Sequence, residues 1–314
     1  MRTVNCIKKI FKHLLDGSLF QAIRNKKATD FIHNNMIDAI NNPQEYLIKL
    51  GKIKLGYKMN LSNPQTFNEK INWYKLNYEN ELMPIVVDKE KAKEYVSSKG
   101  LDDILVKTIG VYNKIDEINY EILPESFVVK NTLDSGGVYV CRNKSQLKYD
   151  ELNKKISLYD EQIKNGVHVS LENIYCKGTN HIIVEELIKT PNGHNPYDYK
   201  FFCFNGEPRF LFVGSDRETE VKFDFFDINF NWLDVRQGHK NNKNRPIKPK
   251  NYEKMIDICR ILSKDFPQVR VDLYNVDGKI YFGELTFYHF AGLTRFSPRK
   301  WDKIFGSYWD IYNK

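Results

Sequence analysis

The 314-residue sequence contains no apolar run approaching the roughly 20 residues needed to cross a bilayer. Its start also lacks the apolar core and cleavage site of a secretory signal, so a cytoplasmic location is expected. Cysteine is sparse: Cys6, Cys141, Cys176, Cys203 and Cys259 are odd in number and show no CxxC spacing. That pattern suggests neither a disulfide framework nor a zinc site, and it favours a reducing compartment. There is no G-x-x-x-x-G-K-[ST] loop, no G-x-S-x-G elbow, no local Cys and His signature, and no strand with a glycine turn near the start. Walker-type, serine or cysteine hydrolase and Rossmann readings therefore lack their motifs. Internal repeats and low-complexity tracts are absent as well.

What the chain does have is apolar material, 41% hydrophobic and 14% aromatic with 20 Phe and 19 Tyr, enough for a globular core. The length suits one catalytic body with a smaller lobe. The net charge of +8 gathers in MRTVNCIKKIFKHLLDGSLFQAIRNKK at the start and in RQGHKNNKNRPIKPK from Arg236 to Lys250. Written as a helix, the first places Ile7, Ile10, Phe11, Leu14 and Leu15 on one side and Lys8, Lys9 and Lys12 elsewhere. Such a helix packs on the body or rests weakly on the inner, acidic face of a membrane. The second reads as a mobile basic loop from its Asn, Gly and Pro content. No nucleic-acid motif accompanies the charge, so nucleic acid is not an expected partner.

Residues 1–85 read as helical, with apolar residues at helical spacing in FIHNNMIDAI and EYLIKL and a capping box formed by Thr66 and Glu69 ahead of INWYKL. Asp88 can cap a helix whose buried face holds Ala92, Tyr95 and Val96, with Gly100 as its stop. Strand candidates follow: ILVKTIGVY, SFVVKN, GGVYVC, NHIIVEELI, DYKFFCF, PRFLFVG, VKFDFFDI, VRVDLYN and KIYFGELTF. Hairpins are expected at Asn205-Gly206 and Asp277-Gly278, dipeptides that accept positive φ. With helices around 145–165 and 252–265, the class is α+β with largely antiparallel sheets.

Two features carry chemistry. Lys130 ends the strand FVVKN, and the loop Asp134–Gly137 follows. Glycines let backbone N–H groups approach a triphosphate and the lysine neutralises its charge, although a solvated edge lysine beside a turn has the same sequence. Asp272 and Glu284 lie on the two arms of the second hairpin, near the same distance from its turn. Carboxylates so placed repel unless a cation lies between them, and hard oxygen ligands favour Mg²⁺ or Mn²⁺. Thr286 shares their face by the strand period. Taken alone, the pair equally fits solvated acids beside Arg270.

The order DKEKAKEYV, FVVKNTLDSGG, IIVEELI, DYKFFCFNGEP and RVDLY…GELTFYHFAGLTRFSP resembles an ATP-grasp enzyme, and NPQTFNEKINWYK resembles the TupA-like branch of that superfamily. The resemblance covers roughly residues 63–300. It implies an ATP-grasp fold in which a helical lobe (1–85) precedes a subdomain bearing a glycine-rich lid (86–183) and one bearing the metal site (184–314). It makes Lys89 and Lys130 the lysines on the ATP phosphates, Gly136 and Gly137 part of the lid, and Glu185, Glu186, Leu187 and Ile188 the hinge that reads adenine. Lys200 would point at phosphate, and Arg270 and Lys130 would act as catalytic cations, with Arg270 steadying the oxyanion. Asp272 and Glu284 would hold magnesium. Thr286 stands where family members commonly carry Asn, so one metal would be held more weakly or through water. Gly292, Arg295 and Ser297 become substrate-side candidates, and His289 a structural histidine near them. The implied activity is ATP- and Mg²⁺-dependent joining of a carboxylate to an amine through an acyl phosphate, in bacterial surface polymers such as teichuronopeptide and capsular polysaccharide. The carboxylate would be a uronic acid or polymer precursor, and the amine an amino acid. A glycan or small-molecule kinase on the same ATP site, or a capsule protein without ATP chemistry, are the alternatives.

Overall fold

The computed structural model describes residues 18–312, apart from 135, 158, 160–162, 165 and 166. The basic apolar helix expected around Ile7–Leu15 lies outside the described residues.

The chain begins with helices α1 (Ser18–Asn34), α2 (Met36–Asn41) and α3 (Pro43–Leu55). Pro43 opens α3, where its missing N–H costs nothing, and Gly56 closes it with φ 75°. Ala28, Met36, Ala39, Tyr46, Leu47, Leu50 and Leu61 give these helices a small core of their own. Helix α4 (Phe67–Asn77) starts at the expected capping box: Glu69 N–H donates to Thr66 Oγ1 (3.3 Å), and Thr66 N–H donates to Glu69 Oε2 (3.0 Å). Replacing Thr66 with Ala is expected to cost about 1 kcal/mol. A urea midpoint that falls with an unchanged slope would show this, and an unmoved midpoint would contradict it.

Although helical, α4 belongs to the main core. Phe67 meets the rings of Phe202, Phe204, Phe210 and Phe296 edge-on at 5.6–6.4 Å. The small helical core in turn takes in Leu171 and Leu293 from later in the chain, with Leu76 of α4 packed against it. Helices α5 (Met83–Val86) and α6 (Lys91–Ser98) follow. Asp88 Oδ1 accepts the N–H groups of Glu90 (2.9 Å) and Lys91 (3.3 Å) at the start of α6, whose buried residues are Ala92, Tyr95 and Val96.

Strands β1 (Thr108–Tyr112), β2 (Phe127–Asn131) and β3 (Val138–Cys141) are followed by α7 (Tyr149–Ile156), a two-residue pair β4 (Ile163–Lys164) and β5 (Val167–His168), and β6 (Ile182–Glu186). They form an antiparallel sheet in the order β1-β6-β2-β3. Strands β7 (Asp198–Phe204), β8 (Glu207–Ser215), β9 (Lys222–Asp227) and β10 (Trp232–Leu233), with β11 (Arg236–Gln237) apart, lead through α8 (Tyr252–Ser263) to β12 (Gln268–Val276) and β13 (Lys279–Thr286). The large sheet is ordered β10-β9-β8-β7-β12-β13, again antiparallel, and β11 pairs with β14 (Phe296–Ser297) ahead of α9 (Lys300–Ser307). Both expected hairpins form, with positive φ at Asn205 and Gly206 (49° and 81°) and at Asp277 and Gly278 (52° and 95°).

The large sheet is buried on both faces. One lies under α8, and the other packs Phe202, Phe204 and Phe210 against α4 and α9, with Phe210 stacked on Phe305 at 3.9 Å. The two-residue strands are too short to show alternation in the sequence, and α9 follows Arg299, which makes no side-chain cap to announce it.

Beyond β11 the basic stretch up to residue 250 is irregular, as its composition demands, but hydrogen bonds tie it to the body. Asn241 Nδ2 donates to the carbonyls of Phe223 (2.8 Å) and Val235 (3.0 Å), and Asn242 Nδ2 donates to Ser215 Oγ (3.0 Å). Arg245 lies 3.6 Å above the Trp232 ring. Its asparagines supply the hydrogen bonds that a ladder would otherwise provide.

Candidate active site

Pairing across the large sheet builds a row of charges. β12 sets Asp272 opposite Lys200 of β7 on one side and opposite Glu284 of β13 on the other. The second pairing depends on a bulge: Leu273 pairs with Phe282 but Asp272 with Glu284, so Gly283 is the extra residue. Arg270, two residues before Asp272, faces Thr286 on the same side of the sheet. Its Nε and Nη2 donate to the two Asp272 oxygens, both at 2.7 Å, and Nη2 reaches Glu284 Oε1 (3.1 Å) and Thr286 Oγ1 (2.9 Å). The cation that holds the two carboxylates together is thus supplied by the protein itself. Lys200 pairs with Asp272 and with Asp198 (2.8 Å), and Arg217 pairs with Asp198.

His289 is the structural histidine expected, with a definite task. It is fully buried, and burial first, then Arg270 and Lys200, push its pKa well below the usual value. A neutral ring accepts from Arg270 Nη1 at Nδ1 (2.8 Å) and donates from Nε2 to Gln237 Oε1 (2.8 Å), fixing the guanidinium. Burial works against the Glu284 charge, yet Lys200, Lys89 and Arg270 hold its pKa down to about 2. Burial pushes the Asp272 carboxyl up, and Arg270 and Lys200 pull against it.

The smaller sheet contributes the opposite wall. Lys130 Nζ pairs with Glu185 at 2.6 Å, and Lys93 pairs with the same buried carboxylate. Lys89 Nζ donates to the backbone carbonyl of Asp134. In the glycine loop, Gly137 N–H donates to the Asp134 carboxylate (3.1 Å), and a Cβ on Gly137 would collide with Asp134 and Asn131. Gly137 therefore closes the loop on Asp134 instead of offering its N–H to a phosphate. Gly136, at φ 147°, has open space around it and lines the cleft.

Between the two sheets lies a cleft of about 730 Å³. Lys89, Lys130 and Gly136 border it from one side, and Lys200, Arg270, Asp272, Glu284 and Thr286 from the other. A second cavity of about 560 Å³ shares Lys130, Val138, Arg217 and Tyr274 with it, so the two adjoin. Its wall combines Val106, Val128, Val140 and Phe282 with the segment Glu185–Ile188, which leaves β6 for the large sheet. Glu186 itself is exposed and pairs with Lys107 (3.3 Å).

Three expected residues lie elsewhere. Gly292 packs on α4, where a Cβ would press on Asn68, Ile71 and Asn72, and Arg295 and Ser297 border a separate cavity. After β13 the chain turns through Phe290 and Ala291, both at positive φ (47° and 54°), a path that ordinary side chains seldom take and that no sequence signal announced. The sequence reading also missed Asp198, the first residue of β7, and Arg217, together with the cleft residues His168, Glu172 and Tyr175, which come from short or irregular segments.

Among the described residues, no three His, Cys, Asp or Glu side chains converge to hold a metal. What is present is an open, all-oxygen set: Glu284, ionised and partly exposed to the cleft, with Asp272 and Thr286 beside it. That set suits a hard cation such as Mg²⁺ whose shell is completed by phosphate oxygens, and does not suit a soft-metal cage.

A family model described as TupA-like ATPgrasp matches residues 69–310. No curated protein matches the chain. Among solved structures, it is similar to D-alanine–D-alanine ligase from Bacillus anthracis complexed with ATP, at 18% identity over 65% of this chain and 54% of that one, TM-score 0.36. The Helicobacter pylori D-alanine–D-alanine ligase matches at 14% identity over 64% and 51%, TM-score 0.34. The ATP-grasp ligase PsnB, complexed with minimal precursor, Mg and ADP, matches at 10% identity over 81% and 65%, TM-score 0.37. The chain thus spans about half the length of the D-alanine ligases it matches.

Proposed function

The chain belongs to the TupA-like ATP-grasp family, and on that premise we propose that it is an ATP- and Mg²⁺-dependent carboxylate–amine ligase. The observation that carries this reading is the charged row Lys200–Asp272–Glu284 with Arg270, facing Lys130 across a cleft that continues into a cavity with an apolar patch and a charged rim. The patch of Val106, Val128, Val140 and Phe282 suits the face of adenine, with backbone groups of Glu185–Ile188 at its edge, and the lysines of the cleft suit the phosphates. Glu284, Asp272 and Thr286 would hold magnesium, which when bound neutralises phosphate charge.

A carboxylate resists attack because oxide would have to leave. Transfer of the γ-phosphoryl group to it gives an acyl phosphate and ADP, and an amine then displaces inorganic phosphate, leaving an amide. The protein's part is positioning and charge: Lys130 and Lys200 neutralise phosphoryl oxygens, and Arg270, locked by His289, stabilises the oxyanion. The acceptor we propose is a uronic acid or similar carboxylate of a bacterial surface polysaccharide, with an amino acid as the amine; the family resemblance supports it. A phosphate-release assay over uronic acids and amino acids tests the reaction class. Release that requires both substrates is expected. ADP formation with a phosphorylated hydroxyl and no free phosphate would contradict the ligase and favour a kinase.

The incoming amine must lose protons, and Glu172 is placed to take one. It borders the cleft; burial pushes its carboxyl up to about 7 and Lys75 pulls against that shift. Lys75, buried and held by the carbonyls of Ser170 (2.8 Å) and Ala291 (2.7 Å), is pushed down by the same burial. A base acts when deprotonated, so kcat/KM should climb with pH through about 7 and then level. Glu172→Gln should remove that limb and lower kcat by roughly 10²–10⁴-fold. A variant that keeps the limb would show that another group supplies it.

A further inference from the structure

Beyond Thr294, which borders the nucleotide cleft, Arg295 opens onto a separate cavity of about 800 Å³. It lies where the end of α3 meets β11 and β14, and its wall is cationic: Arg24, Arg236, Lys240, Arg295 and Arg299. Its acids are already engaged. Glu220 pairs with Lys222 (2.5 Å) and Lys240 (3.4 Å). Asp302 accepts from Tyr57 (3.0 Å) and from the backbone and side chain of Asn68 (both 2.9 Å). Among the described residues, none of Arg24, Arg236, Arg295 and Arg299 has a carboxylate partner.

These guanidinium groups share the wall of one cavity. Burial lowers the Arg295 pKa first, and the charges of Arg24 and Arg299 lower it further. Arg299 sits over the Tyr57 ring at 4.2 Å, which fixes it in the wall. A Cβ at Gly56 would strike the Arg295 guanidinium, so the glycine that ends α3 at φ 75° also leaves the space this side chain fills. Folding gains nothing from like charges gathered in a concavity, where low-dielectric walls concentrate their field. An anion reverses the sign of that cost, and planar guanidinium forks match phosphate and carboxylate oxygens in pairs.

We propose that this cavity is a second anion-binding site, separate from the nucleotide cleft, for an oligosaccharide-sized ligand carrying two or more phosphate or carboxylate groups. Its volume lies within the range of small-ligand pockets, roughly 300–1,000 Å³. The proposal stands on these side chains alone and does not require the ligase reading.

Isothermal titration of the full chain, with the cleft saturated by Mg²⁺ and a nonhydrolysable ATP analogue, tests it with two probes, trigalacturonate and tripolyphosphate. Saturable binding of at least one is expected, and the preferred probe tells carboxylate from phosphate. Arg295→Gln combined with Arg299→Gln should weaken it by roughly tenfold or more. The exposed Arg236→Gln, which leaves the backbone pairing of β11 intact, should weaken it less but measurably. Binding of neither probe, or binding that both variants retain in full, would overturn the proposal. So would binding to phosphatidylglycerol vesicles but to neither soluble anion, which would make this surface a membrane face.

Discussion

Glu284→Gln is expected to lower turnover by at least about a hundredfold while the protein stays folded. Gln keeps the length of the side chain and an oxygen for the bonds that Arg270 and Thr286 make to Oε1. It removes the charge, and Glu284 is the carboxylate of the row whose pKa is held down and whose side chain is partly exposed. Asp272 has both oxygens tied to Arg270, so it is the less available of the two acids and does not replace Glu284. Phosphate release at saturating substrates, with circular dichroism as the folding control, reads the effect. Undiminished turnover in a folded variant would remove Glu284 from the metal site.

The second large effect is expected at Arg270, and it falls on stability as well as activity. Its guanidinium bonds Asp272 twice, and Glu284, Thr286 and His289 once each. Arg270→Ala leaves Asp272, 1% exposed, with Lys200 as its remaining cation. Removing one member of a buried charge network costs about 3–5 kcal/mol, because the remaining charge stays desolvated. The substitution should lower the stability measured by urea unfolding by that amount and abolish turnover. Arg270→Lys should not restore it, since an ammonium cannot present two parallel N–H groups to Asp272. A stability loss under about 1 kcal/mol would mean the network is slack and Arg270 is dispensable to the fold.

How much of this was legible in the sequence depends on whether the signal was local. Thr66 with Glu69, the Asn205-Gly206 and Asp277-Gly278 turns, and the nearly equal spacing of Asp272 and Glu284 from their turn are short-range patterns, and the structure follows them. Even there, the direct opposition of the two acids needs the bulge at Gly283, since unshifted pairing would set Asp272 against Gly283. Long-range pairing left less trace. β7 and β12 lie far apart in the chain, so nothing local showed that Lys200 sits beside Asp272 or that Asp198 and Arg217 extend the row. Gly292, Arg295 and Ser297 were placed on the substrate side by resemblance alone. The positive-φ turn at Phe290 and Ala291 carries the chain to α4 and to the basic cavity instead. Glu172 escaped notice because its segment shows no regular pattern and its character comes from burial beside Lys75.

The central claim is that the two sheets close on one magnesium nucleotide, with Lys130 on one wall and Glu284 on the other. A crystal structure with Mg²⁺ and a nonhydrolysable ATP analogue tests it most directly. The account predicts adenine between Val106 and Leu187, phosphate oxygens on Lys130 and Lys200, and the metal on Glu284. A nucleotide bound elsewhere, or one that touches Lys130 while Glu284 faces away from its phosphates, would contradict it.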